Sequence, residues 1–255
     1  MKNIYILKQI ILFTFFITIL LITNNFVKDY LLSNNITSYN TYLFTRIISN
    51  LLLATVSFIV AKKLNLFKLG GLTKIEPKKP WLIIFPLVFL VLLNGLFLDS
   101  IPSYSISNLL MLAIYCISIG ISEELSLRSV LLPLFSKYFG DNKKAQIKAV
   151  FIAALLFGLL HLIKFDKGIY GEISQVFFAS FIGVMFGAIL LVIKRIYPLI
   201  IIHAVIDFVA KLDSIGKPIK EVITNPMDLG SAVLSILLTF PCLIYGIYVL
   251  KKRLN

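Results

Sequence analysis

Three short stretches put ionisable side chains inside runs that are otherwise apolar: "SEELSLRS" from Ser122 to Ser129, "FGLLH" from Phe157 to His161, and "HAVID" from His203 to Asp207. The residue types are those of hydrolysis: carboxylates that take a proton from water, imidazoles that share it or donate to developing charge, and a guanidinium as counter-charge. Glu124 and Arg128 are four residues apart, so on a helix they share a face and can pair, whereas Glu123 is turned about 100° away and is free for other work. Phe157 with His161, and His203 with Asp207, have the same spacing. The chain has only two histidines, and both lie in these stretches. Glu123, His161 and His203 could also hold a divalent ion such as Zn²⁺ with a position open for water, although an H-E-x-x-H helix is absent. The cofactor expectation is therefore either none or one divalent metal ion.

The elements that must position these groups are membrane helices. Of 255 residues 59% are hydrophobic and 15% charged, a balance that fits lipid better than water. Eight apolar runs follow one another: Ile10 to Thr23, Tyr42 to Ala61, Trp81 to Leu98, Ile106 to Phe135, Ala149 to Ile163, Ile173 to Ile193, Pro198 to Ala210 and Ser231 to Leu250. The expected fold is all-α, a polytopic transmembrane helix bundle of about eight spans, with residues 1–255 forming a single integral membrane domain of the cell membrane. Pro133 should bend the end of the fourth span, Pro198 should start the seventh, and "GVMFG" from Gly183 to Gly187 reads as helix packing. Cys116 and Cys242 lie within spans and read as small buried hydrophobes.

The net charge of +13 is distributed as a membrane topology, which argues against nucleic acid as a partner. With eight crossings and both termini cytoplasmic, seventeen of the 25 basic residues face the cytoplasm, seven face outward and Arg128 is within the membrane. Measured from the basic turn Lys137 to Lys148, Glu124 and His161 both lie roughly 20 Å deep. His203 and Asp207 lie roughly 12 and 18 Å from the same face. A charge at such a depth costs roughly 2.5 to 3.5 kcal/mol, so groups that meet at one level should partner one another.

The motifs E-E-x-x-x-R, F-x-x-x-H and H-x-x-x-D, in this order on separate spans, resemble those of the CPBP family of intramembrane proteases. That family includes the type II CAAX prenyl endopeptidases and relatives linked to bacteriocin self-immunity. The resemblance covers about residues 106–210. It implies that Glu123 holds and deprotonates water with help from His161, that His203 and Asp207 stabilise an oxyanion, and that Glu124 and Arg128 support them. It further implies a protein or peptide substrate met among membrane lipids, prenylated or a peptide precursor, and cleavage within the membrane near its cytoplasmic half. Asp207 stands where Asn is frequent, and Leu127 and Ser129 where Phe and Gly are common. An ionised Asp cannot donate to an oxyanion, so Asp207 must be protonated, orient His203 or bind a metal. Two other classes compete: a proton- or ion-coupled transporter using these groups as a relay, and a non-catalytic membrane scaffold of the same fold. The chain shows no repeated half, and its polar groups cluster at one level instead of crossing the membrane, which weighs against transport.

Overall fold

A computed structural model describes residues 2–98, 100–140, 142–164, 166–219 and 226–253. All eight apolar runs are helical. The nine α-helices among the described residues are α1 (Lys2–Ser33), α2 (Tyr39–Lys63), α3 (Ile84–Leu96), α4 (Ile106–Glu123), α5 (Leu132–Phe139), α6 (Lys143–Leu160), α7 (Gly168–Ile193), α8 (Tyr197–Ala210) and α9 (Leu229–Arg253). The fourth run is one continuous helical rod in which α4 and α5 are joined by a π-helical segment, Glu124–Leu131. Six helices are long and apolar enough to cross a membrane, while Pro80–Leu96 and Tyr197–Ala210 are shorter. The protein is thus a multi-pass integral membrane protein. The 14 residues of α8 rise only about 21 Å, short of the roughly 30 Å hydrocarbon core. Residues 220–225, in the connection before α9, lie outside the described residues.

Helix ends carry local signals that fit this arrangement. Ser38, Ser105 and Asn142 accept hydrogen bonds from the backbone N–H groups of Thr41, Asn108 and Ala145, capping α2, α4 and α6. Pro198 begins α8, where a missing N–H costs nothing. Pro133 follows the π segment; having no N–H, it cannot carry the α pattern of hydrogen bonds back to Ser129.

Packing makes α7 the central helix, with 72% of its apolar window buried against 39% or less in the other five spans. Gly183 and Gly187 let it approach α6, since a Cβ at Gly183 would lie 2.9 Å from that of Ala154 and one at Gly187 3.1 Å from Val150. Gly246 does the same for α9 against Met185. This is the close backbone packing that membrane helices use where no hydrophobic force drives them together. Elsewhere α2 lies parallel to α4, tied by Asn40 Nδ2 donating to Ser107 Oγ at 3.1 Å and Asn50 Nδ2 to Ser118 Oγ at 2.9 Å. The outward faces keep exposed Ile11, Phe15, Phe44, Leu92, Ile201 and Ile244 for lipid. Cys116 and Cys242 are free and buried, as expected.

Candidate active site

The site forms where α4 meets α8, and one glycine sets how closely they meet. A Cβ on Gly120 would stand 2.7 Å from the Ile200 carbonyl oxygen and 3.2 Å from the Ala204 nitrogen. With only hydrogen there, the α8 backbone passes one turn from the two glutamates. Immediately afterwards the rod widens into the π segment, a distortion often found at functional sites. All eight of its residues, Glu124, Arg128 and Ser129 included, are buried. Ser126 Oγ donates to the Glu123 carbonyl at 3.2 Å, and Ser129 Oγ donates to Gly70 of the α2–α3 connection at 2.8 Å. The α2–α3 connection thereby braces the segment that carries the glutamates.

His203 enters between the two acids and touches both. Its Nδ1 lies 2.8 Å from Glu124 Oε1; because a carboxylate only accepts, Nδ1 carries the hydrogen. Its Nε2 faces Glu123 Oε2 at 3.5 Å and Asp207 Oδ1 at 4.0 Å. The 100° offset between adjacent helical residues therefore does not send Glu123 and Glu124 to separate partners. It places them on two edges of one imidazole.

Counter-charges sit behind the acids. Arg128 Nη1 is 3.1 Å from Glu124 Oε1, with the two side chains 3% and 0% exposed, as the i, i+4 spacing predicts. Its guanidinium lies 5.2 Å from the Phe157 ring and 5.5 Å from the Phe186 ring, so two aromatic faces stabilise what water cannot reach. Asp207 Oδ2 accepts from Lys211 Nζ at 2.9 Å. Of the roles left open for Asp207, this pairing favours an ionised group beside His203 over a protonated donor.

His161 ends α6 and opens a short 3₁₀ turn, His161–Ile163. Its Nδ1 donates to the Phe157 carbonyl at 2.9 Å, and the two rings meet edge to face at 4.8 Å. Asn25 of α1 holds that turn by donating to the Ile163 carbonyl at 2.8 Å. His161 makes no ion-pair contact with Glu123, but both line a cavity of about 580 Å³ together with His203 and Asp207. Apolar Leu53, Leu90, Phe178 and Ile182 complete much of its wall, and it reaches the surface at Lys164, Asp166 and Lys167. This is the end of α6 away from the basic turn, whereas the sequence placed cleavage towards the cytoplasmic half.

The set considered for Zn²⁺ does not converge. Among the described residues no three His, Cys, Asp or Glu side chains are placed to hold a metal ion. Glu123, His161 and His203 share a cavity and Glu123 comes within 3.5 Å of His203, but His161 is not within 4.0 Å of Glu123. The residues present do not fit a three-ligand zinc site.

Sequence reasoning missed three contributors. Lys211 was placed with the outer loop, although it stands four residues after Asp207, a spacing that could have revealed the pair. Phe186 lies inside "GVMFG" and also meets the His203 ring edge to face at 6.0 Å; one aromatic among many in a buried helix gives no signal. Gly120 is legible only once α8 is beside it.

Comparison with curated proteins found no match. Residues 105–209, which carry Glu123, Glu124, Arg128, Phe157, His161, His203 and Asp207, match the family described as type II CAAX prenyl endopeptidase Rce1-like. Through this segment, with its paired glutamates closed around one histidine, the chain is similar to the Rce1-like family over residues 105–209.

Proposed function

We propose that the protein is an intramembrane endopeptidase that hydrolyses a peptide bond of a membrane-associated or lipidated protein or peptide, using water activated by Glu123. The observation that carries this reading is the grip of Glu123 and Glu124 on the two nitrogens of His203 at the wall of a cavity of about 580 Å³. Glu123 is 27% exposed while Glu124 is 0% exposed, so only the first can meet water and substrate.

In this mechanism a water lies between Glu123 and His161. Glu123 takes its proton as the oxygen attacks the scissile carbonyl carbon, and His161 accepts a hydrogen bond from the same water through Nε2. The carbonyl π electrons move onto oxygen, and His203 Nε2–H donates to that oxyanion. Collapse breaks the C–N bond, and Glu123 returns its proton to the leaving amine. Glu124 holds His203 through Nδ1–H, Arg128 neutralises Glu124, and Lys211 keeps Asp207 charged so that His203 retains its second proton. No step passes through a metal.

The test compares membrane peptides in cells expressing the protein or its Glu123→Ala variant, followed by cleavage of any differing peptide with purified protein in liposomes. At least one peptide bond should be cut only when Glu123 is present. Identical peptide profiles together with failure of the purified protein to cut would overturn the reading.

A further inference from the structure

We infer that Arg46 is an anchor in the cavity for a carboxylate carried by the substrate, with Asn94 a second donor in the same cavity; that the carboxylate belongs to a peptide to be cleaved rests on the hydrolase reading above. Arg46 falls seven residues into α2 and was counted among the outer basic residues, yet it is only 9% exposed and lines the same cavity as Glu123. Burying a cation among membrane helices is costly unless something neutralises it. Arg128 has Glu124 and Lys211 has Asp207, but among the described residues Arg46 has no carboxylate at ion-pair distance. Its neighbours are Tyr42 close by and Tyr115 hydrogen-bonded to it, with Glu123 acting on it from beyond ion-pair distance, and its Nε has no partner.

A second unpaired donor points into the same space. Asn94 Nδ2, on α3, is buried without a partner, and Asn94 also lines the cavity. Arg46 Nε and Asn94 Nδ2, from different helices, thus line one cavity without a hydrogen-bond partner in the chain. A guanidinium recognises a carboxylate with two parallel hydrogen bonds, which suits this vacancy in charge. The Asn50–Ser118 bond sets the register of α2 against α4. Arg46 lies one turn to one side of that level and Glu123 more than one turn to the other, a separation of roughly 13 Å along the axis. A short extended peptide spans that distance, with its carboxylate at Arg46 and a peptide bond at Glu123.

The full-length protein in detergent micelles is titrated with three probes: N-dodecanoyl-trileucine as free acid, the same compound as C-terminal amide, and N-dodecanoyl-Leu-Asp-Leu-amide, whose only carboxylate is on a side chain. The free acid should bind at least about tenfold more tightly than the amide, as expected for a charge-assisted contact. Binding of the third probe at the strength of the acid assigns the site to acidic side chains; binding at the strength of the amide assigns it to a chain terminus. Arg46→Gln should abolish the preference for acid, Arg46→Lys should keep part of it, and Asn94→Leu should reduce it. Arg46→Gln should also leave the melting temperature of the ligand-free protein unchanged or raised, because among the described residues no carboxylate lies at ion-pair distance from that charge. Equal binding of acid and amide to the unaltered protein, absence of binding by all three probes, or survival of the preference in Arg46→Gln would overturn the inference. Should Arg46→Gln fail to fold, the acid-over-amide difference in the unaltered protein and its reduction in Asn94→Leu decide the matter. Binding needs no turnover, so an inactive protein that still prefers the acid would separate failure of the hydrolase reading from failure of this one.

Discussion

At the scale of single residues, the two glutamates differ in what each leaves behind when replaced. Glu123→Gln keeps the size of the side chain and removes the proton acceptor. Cleavage per folded molecule should fall by roughly 10² to 10⁴, the span typical of losing a general base, with the protein still inserted and abundant. Glu124→Gln strips Arg128 of its buried partner and weakens the acceptor of His203 Nδ1. It should destabilise the fold by about 3 to 5 kcal/mol. Adding Arg128→Gln should restore much of that stability, but not cleavage, because His203 still lacks its carboxylate. Thermal melting and turnover of the three variants in liposomes check this. A Glu124→Gln, Arg128→Gln protein that is both stable and fully active would show that the Glu124–His203 contact has no part in the chemistry.

At the scale of helices, site geometry depends on how far α8 can sink against α4. Gly120→Val should push the Ile200 carbonyl away, costing about 1 to 3 kcal/mol by overpacking and moving His203 off both glutamates. Cleavage per folded molecule should drop at least about tenfold, since catalytic hydrogen bonds tolerate little displacement. Gly95→Ala on α3 is the control, because a Cβ there meets nothing within 4 Å; it should be neutral or stabilise by up to about 1 kcal/mol. Melting temperature and turnover of both variants are the measurements. Normal turnover in Gly120→Val would mean that α8 reaches the glutamates without this close approach.

At the scale of the whole molecule, the charge bias of the sequence and its eight apolar runs predict both termini on one side of the membrane. Cysteine labelling of intact cells at Lys28, Ser103 and Lys167 should find all three sites outside, on the face where the cavity opens beside Lys164 and Lys167. Labelling of any of them from the cytoplasm alone would reverse the access route. Metal dependence is decided on the same purified protein. Because Glu123, His161 and His203 do not converge, chelation should leave cleavage unchanged in a preparation whose metal content, measured by mass spectrometry, is far below one ion per chain. Loss of cleavage on chelation, regained with Zn²⁺, would require these side chains to rearrange into ligands.

Much of this protein is written in one dimension. Long apolar runs must become helices in lipid because unpaired backbone groups are too costly there, so eight helices were legible from composition and length alone. Ion pairing at i, i+4 is equally local, which is why Glu124 with Arg128 could be read from their spacing. The motif residues announced themselves because charge is rare inside apolar runs. Their arrangement did not, for reasons that are geometric. Which helix approaches which depends on where Cβ atoms are missing, as at Gly120, Gly183 and Gly187, and no local pattern states what lies opposite. The π segment shifts the register of one rod, a departure that helical periodicity cannot anticipate. Only the tertiary structure could seat a single imidazole between neighbouring glutamates, hold His161 away from Glu123, and bring Arg46 of the second apolar run into the wall of the cavity, because each outcome depends on distances between helices far apart in sequence.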